Sequence, residues 1–159
     1  MKLFKAKLQK GFTLIELLVV IGILAVLLAI TLIAINPAKQ FAQANNTQRS
    51  SDVNAILNAI NQYMADNKGV LPAGIPTGDY GTNDIEISEA GAHLCLTLVT
   101  EYLAAMPVDP QTGSALTPAD CVAGSLYVTG YNIVQSATNN RITVGAPDAE
   151  LVQTITVTR

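Results

Sequence analysis

Hydrophobic and polar positions divide this chain into three patterns. From Phe12 to Ile35 nearly every residue is apolar, and the stretch Leu17–Ile35 carries no charge. At about 1.5 Å per residue it is long enough for one bilayer crossing, and a lone span must satisfy its own backbone as a helix. Asn36-Pro37 interrupts the run, because proline kinks a helix or ends it. From Ala38 to Asn67 there is no Gly or Pro. Here Val53, Ile56, Leu57, Ile60, Tyr63 and Met64 recur at three- and four-residue spacing, and Asp52, Asn54, Asn58, Asn61 and Gln62 occupy the other positions. That period predicts an amphipathic helix with the second set on its polar face, stopping near Asn67-Lys68-Gly69.

Beyond Lys68 the pattern changes. Gly69, Pro72, Gly74, Pro76, Gly78, Gly81 and Gly91 mark a loop, with a short strand predicted at Asp84–Ile87. A helix is predicted at Ala92–Ala105, with Leu94, Leu98 and Leu103 or Tyr102 facing a core. Pro107–Gly113 reads as turns. Leu126–Val134, Arg141–Val144 and Leu151–Thr158 are rich in Val, Ile, Thr and Tyr and read as strands. The predicted fold is α+β. A long N-terminal helix, transmembrane in its first half and amphipathic in its second, packs its stripe at Val53–Met64 against a small C-terminal antiparallel sheet. The predicted organisation is a basic leader at 1–11, a membrane helix at 12–36, an amphipathic helix at 37–68, and a loop plus β-rich head at 69–159.

Charge adds a direction. Lys2, Lys5, Lys7 and Lys10 precede the apolar run, whereas from Phe12 onward five basic side chains face twelve acids, a balance of −7. Positive flanks stay cytoplasmic, so the body is expected outside. An acidic body argues against direct nucleic-acid binding. An ordinary signal peptide would have a shorter apolar part, and Ala34-Ile35-Asn36 is a poor small-residue cleavage site.

The one acid in the apolar run is Glu16. A carboxylate in a spanning segment costs about 2.5–3.5 kcal/mol on insertion scales, and such groups are usually paired. Cutting between Gly11 and Phe12 would create a cation nearby, the amino terminus of Phe12. A plainer reading is also available. Thr13 with Glu16 three residues later fits a helix capping box, and the two roles are compatible.

Lys10-Gly11-Phe12-Thr13-Leu14-Ile15-Glu16-Leu17 resembles the class III signal of type IV pilins and type II secretion pseudopilins. The resemblance is strong over about residues 8–35 and only in outline elsewhere. It implies cleavage after Gly11 by a prepilin peptidase, N-methylation of Phe12, and packing of N-terminal helices into a filament core. Glu16 would then pair with the Phe12 amine of its own or an adjacent subunit. Gly22, Ala25 and Ala29 are small residues that let helices approach closely. Partners implied are further copies of the chain, the peptidase, a pilus assembly platform with minor pilins, and the inner membrane. One departure is the position of proline, at Pro37 where many relatives have it at the place of Ile33.

Cys95 and Cys121 lie in the part expected outside, where an oxidising compartment favours a disulfide closing a loop of about 25 residues. The family often staples its C-terminal region in this way. Two free buried thiols are the alternative. His93 has no Cys/His neighbours at metal-ligand spacing and reads as a surface or helix-cap residue. Asp109 and Asp120 lie near turns, and some pseudopilins bind calcium in a comparable region, but no dense ligand run is present and no metal or cofactor is expected. No catalytic set is visible, so the chain reads as a peptidase's substrate. The favoured function is a structural subunit of a type IV pilus-like surface filament, first inserted in the inner membrane as a single-pass precursor. The alternatives are a secretion pseudopilin and a non-polymerising membrane-tethered binding domain.

Overall fold

A computed structural model describes residues 11–114, 118–121, 124 and 126–159. The chain forms two units, residues 1–40 and 41–159. Helix α1 (Leu14–Ile35) has no buried residue. It ends at Asn36, which takes the left-handed conformation (φ 46°, ψ 77°). Asparagine tolerates that region better than most residues, and the following proline disfavours the right-handed helical one. Helix α2 (Pro37–Asp66) restarts at once, with proline in the first position, where its missing N–H costs nothing. The N–H groups of Lys39 and Gln40 donate to the Asn36 carbonyl at 3.1 and 3.4 Å. Asn36-Pro37 therefore closes one helix and opens the next.

α2 stops where the sequence predicts. Lys68 is left-handed (φ 57°), and the Gly69 N–H reaches back to the Met64 carbonyl at 2.7 Å, a Schellman-type close. Four strands follow in the order β1 (Ile85–Ser88), β2 (Val128–Gln135), β3 (Ile142–Ala146) and β4 (Ile155–Thr158), all antiparallel. Ile133 lies opposite both Ile85 and Val144, and Val144 opposite Val157, so one face of the sheet is aliphatic across its width. Val53, Ile56, Leu57 and Ile60 of α2 share one fully buried core with Ile87, Tyr131, Ile133 and Val144.

Three expectations are corrected. The helix expected at Ala92–Ala105 shrinks to α3 (Cys95–Leu98). Val99 is already extended, and Thr100, at φ 79°, turns the chain so that its N–H meets the Leu103 carbonyl at 2.8 Å. β-branched Thr97, Val99 and Thr100 resist helix continuation there. The strand expected from Leu151 begins only at Ile155. Leu151 and Val152 instead form a turn closed by the Gln153 N–H on the Glu150 carbonyl, 3.2 Å, and both have positive φ (58° and 56°). That arrangement is normally served by Asn-Gly, and each bulky residue in it costs roughly 1–2 kcal/mol. The double substitution Leu151→Asn, Val152→Gly is therefore expected to raise head stability by about 1–2 kcal/mol, read as a higher midpoint in urea unfolding.

The third correction concerns α2's polar face. Asp52 is buried, accepting from the Tyr131 hydroxyl at 2.8 Å and the Gln48 amide at 2.7 Å. Arg49, which no apolar pattern would place inside, is fully buried. Its Nε and Nη2 fork onto Asp109 at 2.6 and 3.2 Å, and Nη1 meets Glu150 Oε2 at 3.0 Å. Gly130, at φ 76°, makes room for Asp109, because a Cβ there would lie 2.7 Å from the Asp109 Cβ. One guanidinium thus ties the loops before β2 and before β4 to α2.

Candidate processing and assembly site

The geometry around the expected cleavage point starts with Thr13. It is extended (φ −80°, ψ 152°) and leads directly into α1. Its hydroxyl accepts the Glu16 N–H at 3.3 Å and donates to Glu16 Oε2 at 2.7 Å. The Thr13 N–H donates to the same carboxylate oxygen at 2.8 Å. The capping box read from the sequence is therefore formed, and it holds the carboxylate over the first turn of α1. The carboxylate is aimed at the backbone N–H of Thr13, the residue next to Phe12. The sequence-predicted pair Glu16 and Phe12 is thus brought to one end of one helix.

Gly11 and Phe12 are exposed and outside regular structure. Gly22 faces open space, and a shallow groove of about 410 Å³ beside it is lined by Leu18, Val19, Ile23, Val26 and Leu27. Ala25 and Ala29 are exposed on the same helix. Among the described residues α1 is the one helix long and apolar enough to cross a membrane.

The remaining sequence candidates lie in the head. Cys95 and Cys121 are bonded to each other and buried, joining the start of α3 to the segment before β2. Closing that loop is expected to stabilise the head by about 3–4 kcal/mol on the chain-entropy account. Intact mass with and without reductant, followed by melting of both forms, checks this; equal melting temperatures would contradict it. His93 is partly buried, its Nδ1 2.6 Å from Glu89 Oε2, with its ring 5.4 Å from that of Tyr127. Asp109 does not offer a calcium ligand, since both oxygens are taken by Arg49 and by the N–H groups of Gln111 and Thr112.

Residues 6–32 match the family model described as the prokaryotic N-terminal methylation motif. No curated protein and no solved structure matches the chain. The matched segment covers Gly11, Phe12, the Thr13–Glu16 box, Gly22, Ala25 and Ala29. The N-terminal segment of this chain is the class III signal shared by type IV pilins and pseudopilins.

Proposed function

We propose that this chain is the structural subunit of a type IV pilus-like surface filament. It is inserted in the inner membrane through α1, cut after Gly11, methylated on Phe12, and assembled by packing of α1 among copies of itself. The methylation motif supports a pilin-like protein, and it implies a prepilin peptidase and a membrane-associated filament as the chain's processing and destination. The observation that carries the reading is the coincidence of that motif with a wholly uncovered apolar helix. α1 has no buried residue. Hydrocarbon can cover such a surface before assembly, and neighbouring helices can cover it afterwards.

In this reading Glu16 sets register. A filament position that leaves its carboxylate away from a Phe12 ammonium keeps two uncompensated charges in an apolar core. Methylation preserves the cation. The experiment is to shear cells, image the released material, and sequence the N-terminus of its main component. Long fibres whose subunit begins with methylated Phe12 support the pilus. Recovery solely in the membrane fraction, with Phe12 still at the terminus, supports a short pseudopilus or a tether instead. A subunit that keeps Met1 and its leader lysines overturns the reading.

A further inference from the structure

The strained turn at Leu151–Val152 leaves Val152 without cover from its own head. Val152 is fully exposed and Leu151 is 43% exposed. Two bulky residues are held at positive φ, and one of them, Val152, also leaves its apolar side chain in water, which is costly twice over. Their position is fixed by α2. Asn46 Nδ2 donates to the Glu150 carbonyl at 2.7 Å and to Gln153 Oε1 at 2.9 Å, and its Oδ1 accepts the Glu150 N–H at 2.9 Å. Asn45 Nδ2 adds a bond to Glu150 Oε2 at 2.9 Å. Both flanks of the turn are thus clasped to residues 45 and 46.

That clasp lies at the end of the head that follows α1 most closely in the chain. The first covered residue of α2 is Ala42, and Phe41 just before it is 71% exposed. Phe41 stands one helical turn before Asn45 on the same face. Only five residues lie between Ile35, the end of the span, and Phe41, a distance of six residue steps. Even fully extended they reach about 20 Å, so in every unassembled subunit this end of the head stays near the lipid surface. The charge there also suits lipid. The body is acidic, yet no acid occurs between Glu16 and Asp52, and Lys39 lies between span and head. The turn's own acid, Glu150, is already paired with Arg49.

We propose that Val152, Leu151 and Phe41 form a membrane-resting patch that seats the head on the outer leaflet of the bilayer crossed by α1. The patch dips into the headgroup region, with Lys39 among the phosphates. It holds the unassembled subunit in one orientation, and leaving the membrane for the fibre uncovers it. This inference rests on α1 spanning the bilayer, and the test separates the two.

The chain contains no tryptophan, so a single introduced one reports its own surroundings. Full-length Val152→Trp, Phe41→Trp, Val70→Trp and Leu24→Trp chains are placed, at high lipid excess, in phosphatidylcholine–phosphatidylglycerol vesicles carrying brominated acyl chains. Val70, 62% exposed just beyond the far end of α2, controls for tryptophan's own taste for interfaces. Expected are several-fold stronger quenching and weaker iodide access for Val152→Trp and Phe41→Trp than for Val70→Trp. Phe41→Trp sits in an unstrained helix and keeps the test alive if the turn variant misfolds. If both probes match Val70→Trp while Leu24→Trp is quenched, the patch is refuted and the span stands. Unquenched Leu24→Trp removes the span and the patch together. Iodide protection that grows with protein density, without bromine quenching, assigns the patch to a second copy of this chain and overturns the proposal.

Discussion

Glu16→Gln is expected to abolish fibre assembly while leaving the chain inserted in the membrane. The substitution keeps the size of the side chain and one oxygen to accept the Thr13 N–H, so the capping box survives, and the motif itself admits glutamine at this position. What it removes is the negative charge. In the proposed filament each Phe12 ammonium would then sit in an apolar core without a partner. Breaking a buried pair by removing one member costs about 3–5 kcal/mol, a hundredfold or more in association at every contact along the fibre. Insertion becomes easier, because an amide is cheaper in hydrocarbon than a carboxylate. Thr13→Ala makes the opposite cut. It weakens the cap, worth about 0.5–2 kcal/mol, and leaves the charge. Fibres should form from Thr13→Ala and be missing from Glu16→Gln, with both chains recovered in the membrane fraction. Normal fibres from Glu16→Gln would remove charge pairing from the mechanism and leave Glu16 as a cap.

The span, the cap, the end of α2 and its buried stripe were legible because each depends on local chemistry. Charge depletion marks the span, and Thr13 with Glu16 marks the cap. Lys68-Gly69 marks the stop, and the spacing of Val53, Ile56, Leu57 and Ile60 gives the covered face. Two of the departures, the turn at Leu151-Val152 and the buried charges of α2, come from contacts distant in sequence. Leu151-Val152 has strand composition, but the clasp by Asn45 and Asn46, more than a hundred residues away, bends it into a turn. Thr97, Val99 and Thr100 were the local warning that a helix at Ala92–Ala105 would stop early. Arg49 and Asp52 gave no warning. A charge on an amphipathic helix reads as solvated unless its partner is known, and Asp109 lies sixty residues on. The assembly residues are legible as a motif, but their role depends on neighbouring copies that one chain does not contain.

The same buried guanidinium carries the second large effect. Arg49→Met is expected to destabilise the head by about 3–5 kcal/mol, because Asp109 stays buried without its cation. For a unit of this size that lowers the melting temperature by about 10–20 °C. Arg49→Met combined with Asp109→Leu should recover much of the loss, since removing both partners leaves no orphaned charge. A double variant as unstable as Arg49→Met would show that the arginine acts through packing alone. The pH dependence follows from the acids around it. Burial pushes the Asp109 carboxyl up, but Arg49 and the N–H groups of Gln111 and Thr112 outweigh it and hold the carboxyl below its usual range. Asn45 and Arg49 hold Glu150 low in the same way. For both, the folded state favours the ionised form. Their stabilisation is complete above the unfolded values of about 4 and is lost as pH falls through the lower folded ones. Asp52 has the opposite sign. Burial raises its carboxyl despite the bonds from Tyr131 and Gln48, so its contribution is present in acid and fades as pH rises through the raised value. Melting of the wild-type chain in detergent should therefore fall steeply below about pH 4, where protonation of Asp109 and Glu150 outweighs relief at Asp52. Asp109→Asn should melt lower at neutral pH and lose most of that acid slope; an unchanged slope would place the acid sensitivity outside the Arg49 cluster.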